Sequence, residues 1–162
     1  MLKLLPILFF AAVNISQISI FEIDGIFSNG HINAIQRYVD ENDLRESNLF
    51  VIQYNASDTS ENSVTELQEL LKDIKTPKAI WVGPNETIVD AGLLKSFDYV
   101  GISPGTTIIN KLSNNEFEFL DQEGIYEGYM VVGSIGAFIE NLGSENIISN
   151  LTSLEGSTPG IV

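Results

Sequence analysis

The sequence predicts an α/β fold with a mostly parallel sheet. Short apolar runs of strand length alternate along the chain with stretches carrying helical spacing, and strands separated by helices close through right-handed βαβ crossovers. The chain is 162 residues long and 44% hydrophobic, which is one domain's worth with enough apolar surface for a sizeable core. No internal repeat or long linker divides it.

The elements follow in order. Ile18 to Ile23 (ISIFEI) is a β-rich run, closed by the turn signal Asp24-Gly25. Ile32, Ile35 and Val39 recur at i, i+3, i+7 and predict an amphipathic helix from His31 to Asp43. Leu49 to Tyr54 (LFVIQY) has the length and composition of a buried strand. A second helical stripe consists of Val64, Leu67, Leu71 and Ile74, with Ser63 as its N-cap and Glu66 completing a capping box. Ala79 to Val82 is the next strand, ended by Gly83-Pro84. Ala91 to Phe97 is a short helix, Tyr99 to Ile102 a strand, and Ser103-Pro104-Gly105 a turn. After the apolar Met130 to Val132, the residues Ile135, Phe138, Ile139 and Leu142 form the cleanest helical stripe in the chain.

Charge and composition remove several function classes. Eight basic against 22 acidic residues give a net charge of −14. That argues against nucleic-acid partners, whose phosphates demand cationic neutralisation, and against docking on anionic lipid. The absence of cysteine removes disulfides, thiolate nucleophiles and thiolate metal sites together. The single histidine, His31, leaves little for a His-based triad or a zinc site. No Gly-x-Gly-x-x-Gly or P-loop pattern supports a nucleotide, so no cofactor is expected.

At the N-terminus, Met1-Leu2-Lys3 precedes an apolar run from Leu4 to Val13 broken only by Pro6. Ten residues cannot span a hydrocarbon core of about 30 Å, but they suit the apolar region of a secretory signal. Residues 1–16 are therefore expected to be a signal peptide or a retained anchor, the competing reading being a buried N-terminal strand or helix. Export would place the protein outside the cytoplasm or on a membrane. The four Asn-x-Ser/Thr sequons, at Asn14, Asn55, Asn85 and Asn150, matter only in a glycosylating pathway and are treated as chance in an Asn-rich chain. Residues 149–162, rich in Ser, Thr and Gly, are expected to form a flexible tail or the start of a truncated segment.

The stretch KAIWVGPNETIVDAGLLKSFDYVGISPGTTI, from Lys78 to Ile108, resembles the core of the membrane-associated ClpP-class serine peptidases, the NfeD-like branch related to signal peptide peptidase A. IFEIDGIFSNGHINAIQRYVDE is similar to the opening βα unit of that family, LFVIQYN to its second strand, and GYMVVGSIGAFIENLGSENI to its C-terminal strand and helix. The resemblance implies a ClpP/crotonase-like spiral of ββα units over residues 17–148. It also implies serine endopeptidase chemistry, a tendency to homo-oligomerise, and a peptide or membrane-protein partner.

Three departures from the family pattern fall on that chemistry. Asp90, followed by Ala91 and Gly92, stands where the family has its nucleophilic serine. A carboxylate there is a poor acyl-transfer nucleophile, and Asp in a first helical turn reads simply as a cap. The family's Gly-Gly oxyanion turn is replaced by Ala56 to Asn62, a glycine-free stretch expected to be a polar surface loop. The family's lysine base sits on a helix well beyond the serine, and the interval from Ile109 to Tyr129 is too short for it. The only lysine there is Lys111, in a polar loop. Ser96 and Ser103 are weak alternative nucleophiles. Asp24, Asp58, Asp90 and Asp98 have no spacing that requires a metal, and none is expected. The expectation is a retained fold with lost catalysis; the alternative is an active serine hydrolase using rearranged residues.

Overall fold

The structure is a computed structural model that describes residues 17–41, 44, 47–84, 86–119 and 122–144. It is a mixed α/β fold, and its main sheet is mostly parallel, as the alternation of periodicities predicts. The elements are β1 (Gln17–Phe27), α1 (Asn29–Glu41), β2 (Ser47–Thr59), α2 (Glu61–Asp73), β3 (Lys78–Val82), β4 (Ile88–Asp90), α3 (Ala91–Leu94), β5 (Tyr99–Ile102), β6 (Thr107–Asn110), β7 (Asn115–Glu118), β8 (Gly124–Tyr126), β9 (Tyr129–Val131) and α4 (Ile135–Ser144). The expected leader and the expected tail from 149 onward lie outside the described residues.

Six strands form the large sheet in the order β1-β2-β3-β5-β9-β8, parallel except for the β8–β9 pair. A small second sheet has the order β4-β6-β7, with β4 parallel and β7 antiparallel to β6. From β3 onward the chain alternates between the two sheets: β3 and β5 belong to the large one, β4 and β6 to the small one. Successive turns of the chain thus build a spiral, with α3 carrying it back from one sheet to the other.

The sheet is covered on both faces, which explains why β2 and β3 read as continuous apolar runs. Phe50, Ile52 and Tyr54 point into a core shared with Ile32 and Ile35 of α1, Leu67 and Leu71 of α2, and Leu93 and Leu94 of α3. Leu49 and Val51, the alternate residues of β2, join Ala79, Trp81, Phe138 and Leu142 in a second core under α4. The Trp81 indole donates to the Val132 carbonyl at 3.2 Å, tying β3 to the start of the α4 unit.

Several boundaries differ from those the sequence predicts. The Asp24-Gly25 turn signal does not end β1. Gly25 takes φ 73° at a register shift in the β1–β2 ladder, and the strand runs on to Phe27. The stretch from Ala56 to Asn62 is not a surface loop. β2 continues to Thr59, paired with Phe27, and α2 starts at Glu61. The N-cap of α2 is Ser60 rather than Ser63, because the Ser60 hydroxyl accepts from the Ser63 N–H at 3.1 Å. Strands β4, β6, β7 and β8 are too short or too polar to register as periodic runs.

Gly101 of β5 is where the second core allows least. A Cβ there would lie 2.5 Å from the Phe138 ring. Gly101→Ala is expected to lower stability by about 1–3 kcal/mol, as overpacking does, read as a drop in urea midpoint. Adding Phe138→Leu should recover part of the loss. Additive losses in the double variant would show that the two sites do not touch.

Candidate functional site

Asp90 ends β4 and caps α3. Its backbone is extended (φ −78°, ψ 129°), and Oδ1 accepts from the Gly92 N–H at 2.7 Å. Gly92 permits this close return, since a Cβ on it would stand 2.8 Å from that oxygen. Gln68 of α2 donates through Nε2 to the Gly92 carbonyl at 3.0 Å, so α2 holds the start of α3 in place. The carboxylate is half-buried.

The parallel pairing of β4 with β6 sets Asp90 beside Ile109, so Lys111 follows two residues beyond that point. The outcome is a cleft of about 260 Å³ between α2, α3 and the β6–β7 turn. Glu61, Val64 and Gln68 line it from α2, Asp90, Gly92 and Lys95 from the β4–α3 segment, and Asn110, Lys111 and Leu112 from the end of β6 and its turn. Asp90 and Lys111, twenty-one positions apart in sequence, thus share a site. Lys95 was not among the sequence candidates, and only the turn after α3 brings it in. The ion pairs between described residues are Lys72–Glu69 and Lys78–Asp98, so neither Lys95 nor Lys111 is paired with a described carboxylate.

The region where the family resemblance implies an oxyanion turn is committed to other bonds. The Thr59 N–H donates to Asp58 Oδ1 at 2.7 Å, and the N–H groups of Ser63 and Val64 go to the Ser60 hydroxyl and carbonyl. The interval from Ile109 to Tyr129 holds the β6–β7 hairpin and β8, and no helix among its described residues.

The remaining sequence candidates are dispersed. Ser96 closes the turn after α3, its N–H donating to the Leu93 carbonyl, and it does not line the cleft. Ser103 is buried, with its N–H on the Val82 carbonyl. Asp24, Asp58, Asp90 and Asp98 each accept from a nearby backbone N–H, of Gly25, Thr59, Gly92 and Lys78 respectively. No group of three or more metal-ligating side chains gathers among the described residues. His31 faces Phe27 and accepts a long bond from the Ser28 N–H at the start of α1.

No protein-family model matches the sequence. No curated protein matches it either. Among solved structures the fold is similar to the 1510-N membrane protease specific for a stomatin homolog from Pyrococcus horikoshii, with a TM-score of 0.51 at 14% identity over 60% of this chain and 50% of that one. A serine-to-alanine variant of the 1510-N membrane-bound stomatin-specific protease gives 0.52 at 15% identity, over 83% of this chain and 64% of that one. A lysine-to-alanine variant in complex with a substrate peptide gives 0.52 at 14% identity, over 88% and 66%. The chain therefore spans between half and about two thirds of the length of these solved chains. The architecture these chains share is a ClpP/crotonase-like α/β fold with a mostly parallel sheet. No described helix is long and apolar enough to cross a membrane.

Beneath the site lies Tyr54, fully buried. Its hydroxyl and that of Thr59 are neighbours without the alignment of a hydrogen bond, and among the described residues neither finds another partner. Burial pushes the Tyr54 phenol up to about 12; the nearby Thr59 hydroxyl opposes the shift, and the charges of Asp90 and Asp58 add to it. An unfolded tyrosine releases its proton near 10. The raised folded value means the stability it contributes is intact below pH 10 and is lost as pH climbs through 12. At about 1.4 kcal/mol per pH unit, the loss approaches 2–3 kcal/mol by pH 12. Tyrosinate absorbance should show one of the five tyrosines titrating last, and Tyr54→Phe should remove that phase and flatten the alkaline stability loss. Titration of every tyrosine near 10 in the folded chain would contradict the buried placement.

Proposed function

We propose that this chain is a catalytically inactive relative of the NfeD-like ClpP-class serine peptidases, keeping the fold as a peptide-binding or assembly module. The observation that carries the reading is Asp90. At the family's serine position the chain presents a carboxylate folded back on the Gly92 N–H, with no serine or threonine at that point to form an acyl-enzyme. Two further observations support it. The N–H groups of Thr59 and Ser63 are engaged by the Asp58 and Ser60 side chains, so these two cannot be aimed at a developing oxyanion. The lysine nearest Asp90 in the cleft comes from an exposed turn or the end of α3, and a lysine base needs desolvation.

The long outer edge of β1 offers a peptide a strand to pair with, since among the described residues β1 pairs with β2 alone. The likeness to a protease solved with a substrate peptide is consistent with that use. Homo-oligomerisation, and a location at a membrane or outside the cytoplasm, complete the proposal. They rest on the family resemblance and on the apolar N-terminal run.

The rival reading, an active hydrolase on rearranged residues, draws on Lys111 entering the Asp90 cleft. Among the described residues no serine lines the cleft, and the hydroxyl of Thr65 donates to the Glu61 carbonyl.

Treatment with a fluorophosphonate is expected to label no serine. Covalent modification of Ser96, Ser103 or any other serine would end the inactive reading. Asp90→Ser is expected to leave peptide hydrolysis at background, because the donor groups and the base are missing along with the nucleophile. Proteolysis by that single variant would overturn the account of both.

A further inference from the structure

We infer that the outer edge of β1 takes up an extended basic segment of another protein, whose successive same-face side chains read apolar, basic, basic, apolar. The inference rests on the peptide-binding reading above and assigns that ligand a sequence pattern and a register.

Alternation along β1 divides its side chains between the two faces of the sheet. Ile23 and Phe27 enter the first core, while Ile18 packs against the second. Ile20, Glu22, Asp24 and Ile26 therefore share the α4 side, where the ladder sets Ile20 beside Val51, Glu22 beside Gln53 and Asp24 beside Asn55. The Asn55 side chain donates to Glu22 Oε1 at 3.2 Å across that face. Helix α4 covers Leu49, Val51 and Trp81 but not this margin, and Ile20 is left 45% and Ile26 66% exposed. Among the described residues the other edge of β1 pairs with no strand.

The charge on this margin has one sign. Asp24 opens on a groove of about 560 Å³ that also reaches Asn55, Trp81 and Glu86. Two acids line that groove and no lysine or arginine does. The ion pairs between described residues include neither Glu22 nor Asp24. A strand added to β1 would stand about 4.8 Å away, within reach of a lysine side chain on the same face. Apolar residues at the two outer positions would cover Ile20 and Ile26, as cross-strand neighbours do.

The same pattern disfavours a second copy of this chain as the occupant. A two-fold axis normal to the sheet would pair β1 with itself antiparallel. Centred on Glu22 or Asp24, it sets that acid against its own copy; centred on Ile23, it sets Glu22 against Asp24. Centred on Phe21, it sets Ile20 against Glu22. Every such register meets like charge or faces an acid with an isoleucine. Lysines at the two central positions turn the same acids into attractions. The pattern reads alike in both directions, so it fits a parallel or an antiparallel ligand.

The test titrates the full chain with acetyl-Val-Thr-Lys-Thr-Lys-Thr-Val amide and follows backbone amide chemical shifts. One control replaces both lysines with glutamate. The other is the isomer acetyl-Lys-Thr-Val-Thr-Val-Thr-Lys amide, which keeps composition and charge. The first peptide is expected to shift the amides of β1, the isomer to bind at least fivefold more weakly, and the glutamate peptide to leave β1 unshifted. Glu22→Gln combined with Asp24→Asn keeps the acceptors for Asn55 and Gly25 and should weaken the first peptide at least tenfold, with the urea midpoint checking the fold. Equal binding of the isomer, or binding that survives the double variant, would overturn the assignment in favour of the general acidic field. Shifts of β1 that grow with protein concentration in the absence of peptide would overturn it in favour of a second copy. If the first peptide shifts Gly92 and Lys111 instead, the edge assignment fails while the peptide-binding reading stands. Failure of the first peptide to bind overturns the assignment as well, and a serine that also takes the fluorophosphonate would bring down the underlying reading with it.

Discussion

Burial of β2 on both faces is the constraint on which the rest of the molecule depends. Phe50, Ile52 and Tyr54 pack against the helices α1 to α3, while Leu49 and Val51 pack under α4. Slipping the strand by one residue would exchange these two sets and drive every one of them into the wrong core. That fixes the register of β2 with β1 on one side and with β3 on the other. Through β3 it fixes β5, whose Gly101 is the gap that Phe138 of α4 fills. The two cores are therefore not independent, and α4 can seat only where the β2 register puts its counterparts.

The small sheet packs Val89 of β4 and Ile108 of β6 into the first core, and a few polar bonds fix where it joins the large sheet. The buried Thr106 hydroxyl bridges to the carbonyls of Gly83 and Ser103, each at 2.8 Å, pinning the end of β3 to the turn before β6. Ser103 and Val82 add a backbone bond across the same junction. With β6 held there, its parallel pairing with β4 leaves no choice about which residues flank Asp90. The cleft is thus a consequence of where two strands cross from one sheet to the other. It gathers two lysines and two acids, Lys95, Lys111, Glu61 and Asp90, beside Val64 and Leu112.

Much of this frame is legible in the sequence. The runs at Ile18, Leu49, Ala79 and Tyr99 mark four strands of the large sheet, and the stripes through Ile32, Val64 and Phe138 mark three helices with the faces they bury. Asp90 is readable as a helix cap from its neighbours Ala91 and Gly92. The misreadings share a physical origin. Asp24-Gly25 looks like a turn because Asp and Gly favour one locally, yet the β1–β2 ladder absorbs the positive φ of Gly25 as an irregularity and continues. Ala56 to Thr59 looks like a loop because its side chains are polar, but backbone pairing with β1 makes it strand regardless of side-chain type.

The sequence by itself determined the alternation of strands and helices, the two-sided burial of the central strands, and a carboxylate at position 90 where it caps a helix. These are properties of residue type and local period, and short-range sterics and burial dictate them. Only the tertiary structure decided that Asp90, Lys95 and Lys111 face one cleft, and that Tyr54 lies close enough to Asp90 and Asp58 to feel their charge. Those neighbours come from parallel pairing across a crossover, in which the partner strand and its register are set by the cores on either side. No local pattern around Lys111 encodes that choice.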